Sequence, residues 1–255
     1  MDQDRPAIET ADALAAFIEL PLLAPVLSEE QVHAGLTVAR ASAIAAVCVR
    51  PCDVDLAVRD LSNSRVRVAA AVSYPDGGST AGVKLYEARD LLRRGAREID
   101  AVVNLGMMYS RQFVRVESEL QQLAALCREW QAVLKAVFEF SVMNHELRII
   151  ACKLARRTGC HFVCTATGRV RQEDFDASVD LALSRRYGLF EVKAAGGAET
   201  PDDALSLIGR GVSRLSVRRP EALLAAFQRR LEDAGAAPPG GGGSVSQVTP
   251  PSVIS

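Results

Sequence analysis

Short apolar runs rich in β-branched residues recur along this chain, and amphipathic stretches of helical period separate them. The runs are AAVCV (45–49), VRVAAAVSY (66–74), EIDAVVN (98–104), VLKAVFEF (133–140), HFVCTA (161–166), LFEVKAA (189–195) and RLSV (214–217), with a weaker one at FIEL (17–20). Runs of this length with turn residues at their ends read as buried strands. Helical patterns are predicted from Ser28 onward and over 80–95, 113–130, 144–158, 172–186, 201–210 and 220–233. SEEQ, from Ser28 to Gln31, has the form of a capping box, in which two side chains satisfy backbone N–H groups at a helix start. GA or TG before several strands supplies helix stops.

Strands alternating with helices point to an α/β fold, a single-domain (βα)8 TIM barrel. A doubly wound open sheet is the runner-up, weakened because no G-x-G-x-x-G follows a first strand. Residues 1–13 are expected to be a flexible N-terminus, 14–233 the barrel, and the Gly/Pro/Ser-rich 234–255 a disordered tail.

Composition narrows the partners. The formal net charge is −1, so no basic field attracts nucleic acid or an anionic membrane. No apolar run approaches the ~18 residues that span a bilayer, and MDQDRPAIETAD is too acidic and polar for a secretory signal. A cytoplasmic protein is expected. Its six cysteines then read as free thiols rather than a disulfide framework. CHFVC lacks the second ligand pair of a zinc site, and no metal, nucleotide or flavin cofactor is expected.

Strand alternation adds chemistry. Helices cover the outside of a barrel strand, where an unpaired charge would be costly, so mid-strand charges should face inward. In EIDAVVN the polar phase holds Glu98, Asp100, Val102 and Asn104; in VLKAVFEF it holds Lys135 and Glu139; in FEVKAA it holds Glu191, Lys193 and Ala195. HFVCTA leaves two phases open, one with Cys164 inward and one with Thr165 inward. Cys48 shares a phase with Ala46 and reads as small barrel filler. Asp100, Lys135 and Lys193 thus meet inside one barrel, as an acid–base site or a structural ion-pair network. His33 and His145 fall on exposed helix positions and are poor general bases.

The same stretches, in order, resemble the deoxyribose-phosphate aldolases, class I aldolases on a (βα)8 barrel. The likeness runs from about Ile18 to Phe227. It is carried by AAVCVRP, VAAAVSYPDGGSTAGVKLYEA, GAREIDAVVNLG, LKAVFEF and VKAAGGAETPDDAL. The resemblance implies a Schiff-base lysine in an F-x-K-T-S-T-G strand, an aspartate matching Asp100 and an assisting lysine matching Lys193. The Schiff-base position is Cys164 and the following serine is Ala166. The early D-x-T-x-L-x-P motif reads ELPLLAP, with Glu19 in place of the aspartate and Ala24 in place of the usual lysine. Glu199 stands where the family helps hold phosphate, and the last phosphate segment reads SVRRP.

The candidate catalytic set is therefore Asp100, Lys193, Cys164 and Lys135. Candidate substrate contacts are Glu19, Cys48, Asn104, Thr165, Arg169, Gly196, Gly197 and Arg218. Cys164 is open to three readings: an inert buried thiol, a thiolate nucleophile, or a metal or redox group. Three functions remain open: a divergent aldolase-like enzyme acting on a small carbonyl substrate, phosphorylated or not; a non-catalytic binding or regulatory protein on the same scaffold; and an ordinary aldolase in which Lys193 forms the imine. The resemblance implies a homo-oligomer, commonly a dimer.

Overall fold

The computed structural model describes residues 8–169, 175–183, 187 and 190–236. Eight parallel strands close on themselves in chain order, β1 (Ile18–Leu22), β2 (Ala46–Val49), β3 (Arg67–Val72), β4 (Glu98–Val102), β5 (Val133–Val137), β6 (Phe162–Cys164), β7 (Glu191–Ala195) and β8 (Arg214–Ser216). β8 returns to β1 through the pairs Ile18–Leu215 and Glu19–Ser216. The open-sheet alternative is thereby excluded.

The surrounding helices are α1 (Ala11–Ala15), α2 (Glu29–Ala41), α3 (Val54–Asp60), α4 (Ala81–Arg93), α5 (Leu105–Tyr109), α6 (Phe113–Glu129), α7 (His145–Thr158), α8 (Phe175–Leu183), α9 (Pro201–Arg210) and α10 (Pro220–Ala236). The capping box at Ser28 forms: Gln31 N–H donates to Ser28 Oγ at 3.2 Å and Ser28 N–H donates to Gln31 Oε1 at 2.9 Å. Thr200 and Asp203 repeat the device at α9. Gly159 and Gly211 end α7 and α9 in the left-handed region, where an L side chain would be strained. Three short helices, α1, α3 and α5, lack the length at which periodicity is legible, and sequence reading missed them.

The ends differ from expectation in detail. α1 begins inside the segment expected to be flexible, capped by Thr10 Oγ1, and rests against α10. α10 extends past residue 233, the expected boundary of the folded part. Residues 1–7 and 237–255 lie outside the described residues, as do parts of the helix expected over 172–186.

The main core lies between the barrel wall and the helices. Outward residues of the strands, among them Val47, Val68, Ile99, Leu134, Val163 and Leu215, are fully or almost fully buried there. One pair in this layer is charged. Lys84 Nζ from α4 donates to Glu119 Oε1 of α6 at 2.6 Å and to the Val102 carbonyl at 2.8 Å, both side chains being almost wholly buried. Burial lowers the Lys84 pKa and raises that of Glu119, each toward its neutral form. The contact ties two helices to the C-terminal end of β4.

Breaking one side of a buried pair leaves an uncompensated partner, at about 3 kcal/mol or more, whereas replacing both with apolar groups costs far less. Lys84→Met is expected to lower unfolding stability by about that amount in urea titration, and Lys84→Met/Glu119→Leu to recover most of it.

Candidate active site

Barrel curvature turns one phase of every strand inward, and most of the charge sorts there. At the N-terminal floor, Arg67 Nε lies 2.9 Å from Glu98 Oε1. Arg214 reaches Glu19 and Glu98 at 3.5 Å each, and its guanidinium sits 5.6 Å from the centre of the Phe162 ring. Above this floor four side chains close a ring of alternating charge. Lys135 Nζ hydrogen-bonds Glu19 Oε2 and is ion-paired with Glu98 Oε2 at 2.6 Å and Asp100 Oδ1 at 3.0 Å. Lys193 Nζ bonds Glu19 Oε1 and Asp100 Oδ2, the latter at 2.6 Å. Each carboxylate thus bridges both ammonium groups.

Burial disfavours every one of these charges, and the neighbours overcome it. Desolvation alone would raise Glu19, but Lys135, Lys193 and Arg214 hold it well below the usual carboxylate range. Desolvation would lower both lysines, but Asp100 and Glu19 hold them above the usual lysine value. The two carboxylates therefore favour the ammonium form of Lys193.

A cavity of about 1120 Å3 opens above the ring at the C-terminal ends of the strands, where barrel sites lie. Asp100, Lys193 and Cys164 line its depth. The open phase of β6 resolves with Cys164 inward, paired in register with Val137 and Lys193. Its thiol donates to the Ala166 carbonyl at 3.3 Å, and burial pushes its pKa up to about 11 despite Lys193 nearby. Gly196, Gly197, Arg169 and Arg218 line the mouth together with Arg219 and Glu199.

The other expected contacts lie elsewhere. Glu19 and Lys135 have no exposed surface and sit behind the wall, in the ring. Cys48 is buried with Ala69 and Ala71 inside the barrel, as the small filler expected, and is not on the cavity wall. Asn104 is not an inward strand residue. β4 ends at Val102, and Asn104 caps α5 by accepting from Met107 N–H at 2.9 Å. Thr165 takes the phase opposite to Cys164 and accepts from Ala195 N–H at 3.3 Å, bridging β6 to β7 away from the cavity.

Known proteins place this architecture. The chain is 36% identical over 202 residues to the deoxyribose-phosphate aldolase of Clostridium kluyveri, covering 79% of this chain and 92% of that one. It is 32% identical over 214 residues to that of Streptococcus sanguinis, covering 83% and 95%. The chain belongs to the deoxyribose-phosphate aldolase family. No family model matches it. Among solved structures, the aldolase QR15 superposes with a TM-score of 0.79 at 29% identity, covering 85% of this chain and 96% of that one. The tetrameric aldolase of Aeropyrum pernix gives 0.78 at 24%, covering 86% and 92%, a likeness of fold alone.

Within this family member, residues beyond the candidate set also shape the site. Glu139 is buried at the top of β5 and accepts from Thr167 N–H at 3.0 Å, from Thr167 Oγ1, and from Ser141 Oγ at 2.7 Å. Tyr74 Oη donates to the Thr167 carbonyl at 3.2 Å, and Arg169 stacks 5.7 Å from the Tyr74 ring centre. These contacts fix the loop after β6. Glu139 was legible as an inward charge; Tyr74 and Thr167 carried no signal because their partners are remote in sequence.

The chain has only four lysines, Lys84, Lys135, Lys153 and Lys193. The first two are fully buried in ion pairs, Lys153 is exposed on α7, and Lys193 alone among the described residues lines the cavity. Glu19, Cys48 and Asp100 bring ligand atoms within 4.8 Å of one another, a grouping that could hold a metal. Both carboxylates are already bound by two ammonium groups, which would repel a divalent cation. The set suits an ion-pair ring better than a metal.

Two outcomes follow from these charges. Glu19→Gln leaves Asp100 alone between two lysines, so Lys193 should lose its proton more readily. Acetaldehyde with borohydride is then expected to ethylate Lys193 in the variant severalfold more than in wild type at pH 8, read by peptide mass. Alkylation of Cys164 by iodoacetamide should lag exposed Cys52 at neutral pH and rise about tenfold per pH unit until the thiol titrates near about 11.

Proposed function

We propose that the protein is an aldolase-type lyase that makes or breaks a carbon–carbon bond next to a carbonyl. Lys193 works as an ammonium acid, and Cys164 stands where an imine-forming lysine is expected. The observation that carries this reading is the placement of Lys193 Nζ between Glu19 and Asp100 on the cavity side of the ring. An ammonium held there can donate to a substrate carbonyl oxygen and stabilise the negative charge of an enolate. Asp100, whose Oδ2 faces Lys193, accepts the proton from the adjacent carbon. The enolate then attacks an acceptor aldehyde, and Asp100 returns its proton to the new alkoxide; cleavage is the reverse, with Asp100 taking the hydroxyl proton, Lys193 stabilising the released enolate and Asp100 then protonating its carbon.

Cys164 lies beside these groups as a neutral thiol and shapes the wall. Lys135 and Glu19 act through the ring by positioning Asp100 and Lys193. Arg169 and Arg218 at the mouth support an anionic substrate, phosphate included, through charge-assisted hydrogen bonds. Among the described residues no helix is long and apolar enough to cross a membrane. Cytoplasmic residence and a homo-oligomeric state are part of this reading through family membership.

A second reading, imine formation by Lys193 itself, is favoured by its being the only lysine on the described cavity wall. Proton exchange and trapping separate the two. In D2O the wild type should exchange the α-protons of small aldehydes and ketones, followed by NMR, and Asp100→Asn should slow this by about 10²–10⁴-fold. Borohydride should leave wild-type Lys193 unmodified at neutral pH. Reduction onto Lys193 would replace the ammonium mechanism by the imine one, and absence of exchange with every carbonyl probe would favour a binding protein. Cys164→Lys should introduce a trappable imine at residue 164; a folded variant that traps nothing there would sink the positional argument.

A further inference from the structure

The cavity is polar at its base and at its mouth, and apolar between. Above Asp100 and Lys193 the wall is built by Val102, Val137, Cys164, Ala166 and Ala195, which cluster with Tyr74. Leu23 of the segment after β1 and Leu223 of α10 continue the apolar surface upward.

The side-chain donors of Tyr74, Thr167 and Cys164 on this wall are already engaged. Tyr74 Oη donates to the Thr167 carbonyl at 3.2 Å, Thr167 Oγ1 donates to Glu139, and the Cys164 thiol donates to the Ala166 carbonyl at 3.3 Å. Ser216, half-buried at the end of β8, is the remaining hydroxyl among the described lining residues. Arg169, Arg218 and Arg219 are exposed at the mouth, where Glu199 offsets one of them.

A polyhydroxylated substrate seated in this well would bury hydroxyls against valine and alanine. Each hydroxyl stripped of water without a partner opposes binding. A hydrocarbon segment loses nothing there and gains from leaving water. We infer that the preferred substrate is an amphipathic oxo acid: a carbonyl at the Lys193 end, a hydrocarbon stretch through the well, and an anionic group at the arginine mouth. This rests on the proposed function for the location of the carbonyl, while the preference itself is a property of the wall.

Calorimetric titration of the wild-type protein tests it with three ketones: a methyl ketone of a medium-chain carboxylic acid, the neutral methyl ketone of equal length, and dihydroxyacetone phosphate. The oxo acid is expected to bind roughly tenfold or more tighter than dihydroxyacetone phosphate, the scale of one unmatched buried hydroxyl. Arg218→Ala should weaken the oxo acid severalfold and leave the neutral ketone unchanged. Val137→Thr, which offers the well a hydroxyl, should narrow the gap.

Equal or tighter binding of dihydroxyacetone phosphate, or no binding of the oxo acid, would overturn the inference. Asp100→Asn separates it from the catalytic reading. If the variant and wild type share the binding preference but neither exchanges α-protons, only the catalytic reading falls. If exchange proceeds and the preference is absent, only the substrate class falls.

Discussion

Two carboxylates shared by two ammonium groups sit at the centre of this barrel, and the site takes its character from that closed ring. Glu19, Lys135, Asp100 and Lys193 come from β1, β5, β4 and β7, so the ring ties the neighbouring strands β4 and β5 to β1 and β7. Burying four charges is costly, and mutual attraction offsets the cost only when each oxygen and each ammonium proton finds a partner. Such a ring is therefore better at fixing geometry than at adding stability. It aims Lys193 into the cavity and favours its ammonium form there.

The rest of the site is arranged around that fixed cation. Below, Glu98 and Arg214 carry the charge pairing to the floor, so the interior is a filled core and not a pore. Above, small apolar residues line the well. Glu139 anchors the loop after β6 through Thr167, and Tyr74 grips the same residue from the loop after β3. At Gly77 that β3 loop passes so close to β4 that a Cβ would meet the Val103 carbonyl oxygen at 2.3 Å, with φ in the left-handed region. Only glycine allows the approach.

Much of this was legible in the sequence alone. A charge in the middle of an otherwise apolar strand has few places to go, and that constraint alone placed Asp100, Lys135 and Lys193 inside the barrel. The same reasoning failed at Asn104, because the strand stopped two residues earlier and a short helix used the side chain as its cap. It was undecided at HFVCTA, where neither phase carries a charge. Lys84 and Glu119 escaped because amphipathic helices place charges outward on average, and only packing reveals one turned inward to meet another.

By itself the sequence determined the alternating elements, the closed barrel, the family and the inward phase of the charged strands. Tertiary structure alone decided that Cys164 faces the cavity, that Glu19 reaches both lysines, and that Lys193 is the lysine left at the cavity wall. Periodicity is a local property of successive side chains. Which charges meet depends on barrel curvature and strand register, which bring together residues more than a hundred positions apart.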